Sequence, residues 1–497
     1  MSASIRPRRT GVIVFGSKIV SIFTGFLFLV MITRSLIPSQ FGLWEYITDI
    51  VLFAAYPTGV LTYWATRNVA RGKIVGKTTI VVNLLTSMLG IVLFLAFGLA
   101  SYSVIGATFA PFILAIILVP LTYWTQATNA LVGGYDPAIN GYALLASEPA
   151  KLLVAYPLLF VFNLKIMGVI AAIAVSYFVQ AAVSTYFVRS VARDRVDLSV
   201  VKQWLKESHI PAVNMLTYLL GIADTFVASV SRGSTLQVGY YQAAFQVATI
   251  VAYSVSLSAA IYPMLLRDRS ETLPTELLEF SLLFALPMSA GAIALAPQIL
   301  FLLSPKYVTS STALVILCFW ALASLTSALL ESTLTGSERA DLAVEDRTRS
   351  ILGSVLLKVP LANGVGYALY LGAVFFLARL NGGGSISNVQ FVDYWALAEL
   401  AMMVGLAAVK AAWLRGRARV TLTPSVLLYL VVAVVMGLVA HFVGAVFLVS
   451  PLGTLYYGAR LAAIVVMAAL LYFGLLSVLD RRVRGYAITV LRLVGAG

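Results

Sequence analysis

The sequence predicts an all-α polytopic membrane protein with about 14 transmembrane helices, and three observations predict it. The first is composition. Of 497 residues, 61% are hydrophobic and 11% charged, against roughly 45–50% and 25% in soluble domains, and the mean hydropathy is +0.96. No aqueous fold hides that much apolar surface. The second is that the apolar residues fall in runs of about 17 to 25, the length that crosses a bilayer. The third is that Lys and Arg gather on alternate connections between those runs, which is the asymmetry that sets the orientation of membrane helices.

The predicted spans are residues 10–33, 41–64, 78–100, 107–131, 142–164, 167–188, 209–231, 238–265, 277–303, 312–335, 352–377, 392–413, 425–449 and 457–479. The first follows a basic start, MSASIRPRRTG, and is too long for a signal-peptide core. No small-residue cleavage site is evident, so it reads as an uncleaved helix. Span 352–377 is interrupted by Lys358, Pro360, Asn363 and several glycines. With the N-terminus inside, 25 of the 34 Lys and Arg lie on inner segments, 6 at outer ends (Arg34, Lys165, Arg232, Lys306, Arg379, Arg460), and Lys18, Lys151 and Lys358 within spans. That split predicts both termini in the cytoplasm and a multi-pass protein of the plasma membrane. It also explains most of the +14 net charge without nucleic acid, the remainder favouring anionic lipid.

All connections are short. The longest, residues 189–208 (RSVARDRVDLSVVKQWLKES), is expected to hold an amphipathic surface helix and to join two halves. The domain reading is therefore residues 1–190 as an N-lobe of helices 1–6, 191–208 as a cytoplasmic linker, 209–413 as a C-lobe of helices 7–12, and 414–497 as helices 13–14 with a tail. Cys318, the single cysteine, excludes a disulfide framework, and with His209 and His441 far apart no metal-ligand cluster is recognisable.

A weak internal repeat supports the two-lobe reading. TRSLIPSQFGLWEYITDIV (33–51) and SRGSTLQVGYYQAAFQVA (231–248) both carry an outer-end Arg, a short polar loop and Gly-x-aromatic. Aligning Gly42 with Gly239 sets Glu45 on Gln242 and Asp49 on Gln246. The offset is six spans, an even number, so the units would run parallel about an axis along the membrane normal.

An ionisable group costs roughly 2.5–3.5 kcal/mol at the centre of a membrane helix and usually faces the bundle interior. At about 1.5 Å per residue, Lys18, Lys151 and Lys358 lie about 10–14 Å in from the inner side. Asp49 and Asp224 lie about 10–12 Å in from the outer side, and Glu45 about 6 Å. Glu45 and Asp49, four residues apart, share one helix face. Polar stripes accompany them: Gln242, Gln246, Thr249, Tyr253 and Ser256 on helix 8; Asn214, Thr217, Gly221 and Asp224 on helix 7; Thr122, Gln126 and Asn129 on helix 4. Each repeats at helical spacing, and together they are read as a wet cavity lining. The competing structural readings are snorkelling of Lys18, neutralisation of Lys151 by Glu148, an interfacial place for Glu45, and helix packing for the Ser and Thr stripes. Glu279, Glu331, Asp393 and Arg379 sit near helix ends and are expected to face water.

SKIVSIFTGFLFLVMITRSLIPSQFGLWEYI, ADTFVASVSRGSTLQVGYYQAAFQVATIV and LLSPKYVTSSTALVIL make the chain similar to the multidrug/oligosaccharidyl-lipid/polysaccharide (MOP) exporter superfamily. Within it the likeness is to the polysaccharide transporter branch, the Wzx-type lipid-linked oligosaccharide flippases. The resemblance covers roughly residues 10–480, and helices 13 and 14 are an addition that only part of the family has. It implies two pseudo-symmetric six-helix lobes in a V around a central cavity, alternating access without ATP hydrolysis, and no enzymatic activity. The implied partner is a polyprenyl- or dolichyl-linked (pyro)phosphate oligosaccharide, turned from the cytoplasmic to the outer leaflet for cell-surface polysaccharide or glycoprotein synthesis. A monomer associated with glycan-assembly enzymes is expected.

On this reading Lys18, Lys151 and Lys358 offer counter-charge to the phosphates inside, and Arg34 and Arg232 receive them outside. Asp49, Asp224 and Glu45 are the coupling or gating acids. No organic cofactor is expected, and a proton or sodium ion is the candidate coupling cation. The alternative is a multidrug/toxin extrusion (MATE) type antiporter, in which the acids bind cations and the three lysines would repel a cationic drug. A membrane glycosyltransferase is disfavoured because the outer loops are short and lack an acidic pair.

Overall fold

A computed structural model describes residues 7–190, 192–193, 195–206, 208–252, 273–336, 354–380, 387–415, 423–448 and 453–485. Among them the chain is helical throughout, with no strand. The side chains of His209 and Asn214, and residues 253–272 with Tyr253 and Ser256, lie outside the described parts.

Eleven of the expected spans are long, apolar helices: the chain is a multi-pass membrane protein. The other three are not matched by a single helix of that length among the described residues. Span 41–64 is two helices, α2 (Pro38–Ala54) and α3 (Tyr56–Ala70). Span 209–231 is α10 (His209–Gly221) and α11 (Asp224–Arg232). Span 238–265 is described only as α12 (Leu236–Ala252). The first break has a local cause. Pro57 has no N–H for Phe53, and the Thr58 N–H turns to Ala55 (3.1 Å), freeing the Ala54 carbonyl. Irregular backbone at membrane depth is tolerated only where protein re-satisfies it. Here the Tyr123 hydroxyl donates to Ala54 O at 2.9 Å.

The chain divides into two compact units. The first comprises Met1–Gly239 with Val374–Ser385, the second Tyr240–Ala373 with Ile386–Gly497. Besides the helices above, the first holds α1 (Pro7–Ser35), α4 (Gly76–Ser101), α5 (Ala110–Ala115), α6 (Leu118–Tyr135), α7 (Ala138–Tyr156), α8 (Lys165–Val188) and α9 (Leu198–Lys206). α6 packs between α3, α4 and α8, and α7 between α1 and α8. The expected surface helix is α9. Its Val201 and Trp204 are buried against Leu61, Ala65 and Val69 of α3, while Lys202 and Lys206 stay exposed. Asp197 precedes α9 and accepts from both the backbone N–H (2.8 Å) and hydroxyl (2.6 Å) of Ser199.

Within the first unit, the two glycines aligned by the repeat lie against each other's helices. A methyl on Gly42 would overlap the carbonyl of Thr235, and one on Gly239 would overlap that of Pro38. Thr235 and Pro38 each stand four residues before the partner glycine, so the contact is reciprocal. The Thr235 hydroxyl donates to Ser39 O at 2.8 Å alongside it. Small residues allow such backbone-to-backbone crossings in membrane bundles.

The second unit holds α13 (Leu273–Ala294), α14 (Ala296–Leu303), α15 (Ser311–Gly336), α16 (Val355–Arg379, its last turns in the first unit), α17 (Asn388–Leu414), α18 (Pro424–Phe447) and α19 (Thr454–Leu479). α15 and α17 pack along their length. The two C-terminal helices dock on α13 and α14: Tyr472 donates to Leu283 O at 3.1 Å, and Tyr457 to Gln298 O at 3.3 Å.

Candidate functional site

The acids come together in the first unit, at two of its interrupted spans. α2 carries Glu45 and Asp49 one turn apart, and α11 packs on it with Asp224 as its first residue. An acid suits a helix start, where unpaired N–H groups concentrate positive potential. Asp224 Oδ1 accepts from the Thr225 N–H at 2.8 Å. The Thr225 hydroxyl reaches across to Asp49, and the carboxylates of Asp224 and Glu45 are near enough to act on it electrostatically. Tyr218 of α10 stands beside the same carboxylate. Glu45 and Asp224 are buried and Asp49 half-buried. The Tyr46 ring stacks on Phe226 (centroids 5.9 Å apart) and holds the two helices in register. The carboxyls approach without converging: among the described residues no group of three or more His, Cys, Asp or Glu is arranged to hold a metal ion.

A second feature of this unit is a cavity of about 480 Å³ lined by Thr62, Tyr63, Thr66, Gln126, Asn129 and Met215, among others. Its polar lining is hydroxyl and amide, with no charge. Thr66 donates to Ala130 O at 3.1 Å, whereas the buried Asn129 Oδ1 has no hydrogen-bond partner among the described residues. The Arg67 guanidinium stacks on the Tyr63 ring at 4.2 Å.

The expected cations fall in both units. Lys18 is exposed on α1. Lys151 is ion-paired with Glu148 at 2.7 Å, and Glu148 also accepts from the hydroxyls of Thr24 (2.7 Å) and Ser21 (3.3 Å). Lys358 belongs to the second unit and is exposed at the start of α16. Arg34 and Arg232 are half-buried at the ends of α1 and α11, and Thr217 is half-buried on α10. Gln242, Gln246 and Thr249 lie on α12 in the second unit: Gln242 is buried, and Thr249 donates back to Gln246 O at 2.8 Å.

Two polar clusters of the second unit were not expected. Lys410, read as an inner-surface charge, is buried on α17, with its side chain 3% exposed. Its ammonium contacts Glu331 (2.7 Å) and Ser327 (2.8 Å), and Asn363 donates to the same Glu331 oxygen at 3.1 Å. Glu331 therefore turns partly inward rather than simply facing water. Higher on α17, buried Glu399 accepts from Tyr241, whose ring lies flat on Trp395 at 3.9 Å. Glu399 is the lone charge between Asp393 and Lys410, a signal that membrane depth makes informative. Thr225 and Tyr123 carry no such signal, because uncharged hydroxyls are common in membrane helices.

No family model matches the chain, and no curated protein does. Solved structures do. A multidrug resistance MATE family transporter of the MOP superfamily, in its inward-facing conformation, superimposes with a TM-score of 0.54 at 14% identity, over 80% of this chain and 94% of its own. The Vibrio cholerae MATE transporter VcmN in its bent form gives 0.51 at 15% identity, over 82% and 98%. A MATE in complex with MaL6 gives 0.51 at 14% identity, over 82% and 95%. At such identities the likeness is one of architecture. The chain has the fold of the MATE transporters of the MOP superfamily.

Proposed function

We propose that the chain is a proton-coupled exporter working by alternating access, the reading that the sequence held as its alternative. The observation that carries it is the acid trio. Asp224 and Glu45 each lie in electrostatic reach of Asp49 on two interrupted helices, and like charges at that range favour taking up a proton or cation. A proton requires one carboxyl and no converged ligand set, so it suits this geometry better than sodium. Asp49 is the coupling residue, with Thr225 and Asp224 positioning its proton. The uncharged cavity beside Gln126 and Asn129 receives the polar part of the solute. The plasma membrane as location, and a monomer as working unit, belong to this proposal.

A second reading, the Wzx-type lipid-linked oligosaccharide flippase, is favoured by that same cavity. Hydroxyls, amides and the Tyr63 ring suit a sugar, with its many donors and acceptors, better than an organic cation. Against it, Lys151 already has Glu148 as its counter-ion.

Reconstitution into proteoliposomes separates the readings. Efflux of a cationic dye such as ethidium driven by a pH gradient, and lost in Asp49→Asn, supports the exporter. Translocation of a fluorescent polyprenyl-pyrophosphate glycan with no dye efflux supports the flippase and overturns the first reading.

A further inference from the structure

In the second unit, α16 and α17 flank an apolar groove of about 740 Å³. Its rim on α16 is Leu361, Val365 and Leu369, spaced one turn apart and all exposed. On α17 the small Ala398, Ala401 and Gly405 line it together with the bulkier Met402, Leu406 and Trp413. Toward one end lies Tyr370, whose hydroxyl accepts from Trp395 Nε1 at 2.7 Å. At the other end stands Lys358, the only charged residue in the lining. Among the described residues no carboxylate pairs with it.

The dimensions match one lipid chain. From Lys358 to Tyr370 is twelve residues, about 18 Å of helix, against a leaflet of about 15 Å, half the hydrocarbon core. Lys358 lies within the first turn of α16, and a lysine near a helix end can extend to the lipid headgroups. A cation at the mouth of an apolar channel one leaflet long is complementary to an anionic lipid, its phosphate outside and its hydrocarbon within.

We infer that this groove is a binding site for an anionic phospholipid of the surrounding bilayer, with the phosphate on Lys358 and one acyl chain lying between α16 and α17. The inference needs only the membrane setting and is independent of what the protein transports. Gly405 supplies a way to test the channel apart from the charge. A Cβ there meets nothing within 4 Å, so the first atom of a Gly405→Leu side chain enters open groove space.

The test is native mass spectrometry of the full chain in detergent, titrated with phosphatidylglycerol, phosphatidylcholine of the same acyl chains, or a polyprenyl phosphate. The wild type should retain phosphatidylglycerol over phosphatidylcholine by about fivefold, the effect of one basic residue. Lys358→Gln should erase that preference, Gly405→Leu should lower retention of both lipids, and Lys73→Gln, an exposed control, should change neither. Equal retention of the two phospholipids by the wild type, or a preference surviving in Lys358→Gln, overturns the proposal. Polyprenyl phosphate displacing phosphatidylglycerol also overturns it, since the occupant would then be a different lipid.

Discussion

Ala54 ends α2 with a carbonyl that no following N–H reaches, and the Tyr123 hydroxyl is what it meets at 2.9 Å. Leaving a buried acceptor unsatisfied costs about 1–3 kcal/mol. Tyr123→Phe should therefore lower the thermal stability of the purified protein by an amount of that order, although it removes one oxygen from a fully buried ring. An unchanged melting temperature would mean that the break at Pro57 holds itself. Gly42 makes a parallel case. Any side chain there meets the Thr235 carbonyl, and overpacking of this kind costs about 1–3 kcal/mol. Gly42→Val should destabilise by at least that much in a thermal melt, and Gly239→Val should do the same because the contact is reciprocal. A large effect at one glycine and none at the other would contradict the pairing. The sequence offers only a faint likeness around these two positions. That the aligned glycines touch was not visible, because periodicity places residues on faces and does not pair one helix with another.

Elements behave as their charges allow. On α15 and α17, the Glu331–Lys410 pair is a buried cation held by a half-exposed acid. Removing only the acid strands the cation, which for fully buried pairs costs about 3–5 kcal/mol; exposure of Glu331 moderates that here. Glu331→Gln should accordingly destabilise more than Glu331→Gln with Lys410→Met, and chemical denaturation of single and double variants measures the difference. Equal losses would show that the two residues act separately. Counting charges had placed Lys410 at the inner surface, since a lysine at a predicted span end is indistinguishable in sequence from one buried a turn deeper. The surface helix α9 was legible from its spacing, but its anchor, Trp204 beneath α3, was not. Asp197 caps its approach, and the two Ser199 hydrogen bonds hold its carboxyl below the usual carboxylate range. Its contribution is thus present above the ordinary Asp value near 4 and is lost as pH falls through the lowered one. Amide exchange of α9, corrected for intrinsic rates, should quicken on acidification across that window in the wild type. In Asp197→Asn it should show no such step; a step that persists would place the titrating group elsewhere.

At the scale of the whole molecule, composition and charge asymmetry made the membrane class and helical fold readable, because a bilayer imposes length and polarity on every span. The candidate site was readable only in part. Glu45, Asp49 and Asp224 stood out as ionisable groups at depth, and the fold brings all three into one unit. The lysines stood out for the same reason; Lys151 pairs within its own helix, and Lys358 belongs to the other unit. Depth along a helix is a one-dimensional quantity, and whether two deep charges meet depends on packing that sequence spacing does not encode. The central claim is that Asp49 carries the proton that drives export. Its most direct test is accumulation of a cationic dye by proteoliposomes under an imposed pH gradient. For one-to-one exchange the wild type should concentrate the dye about tenfold per pH unit. Asp49→Asn should show no gradient-driven accumulation while remaining folded. Accumulation by Asp49→Asn equal to the wild type would contradict the account.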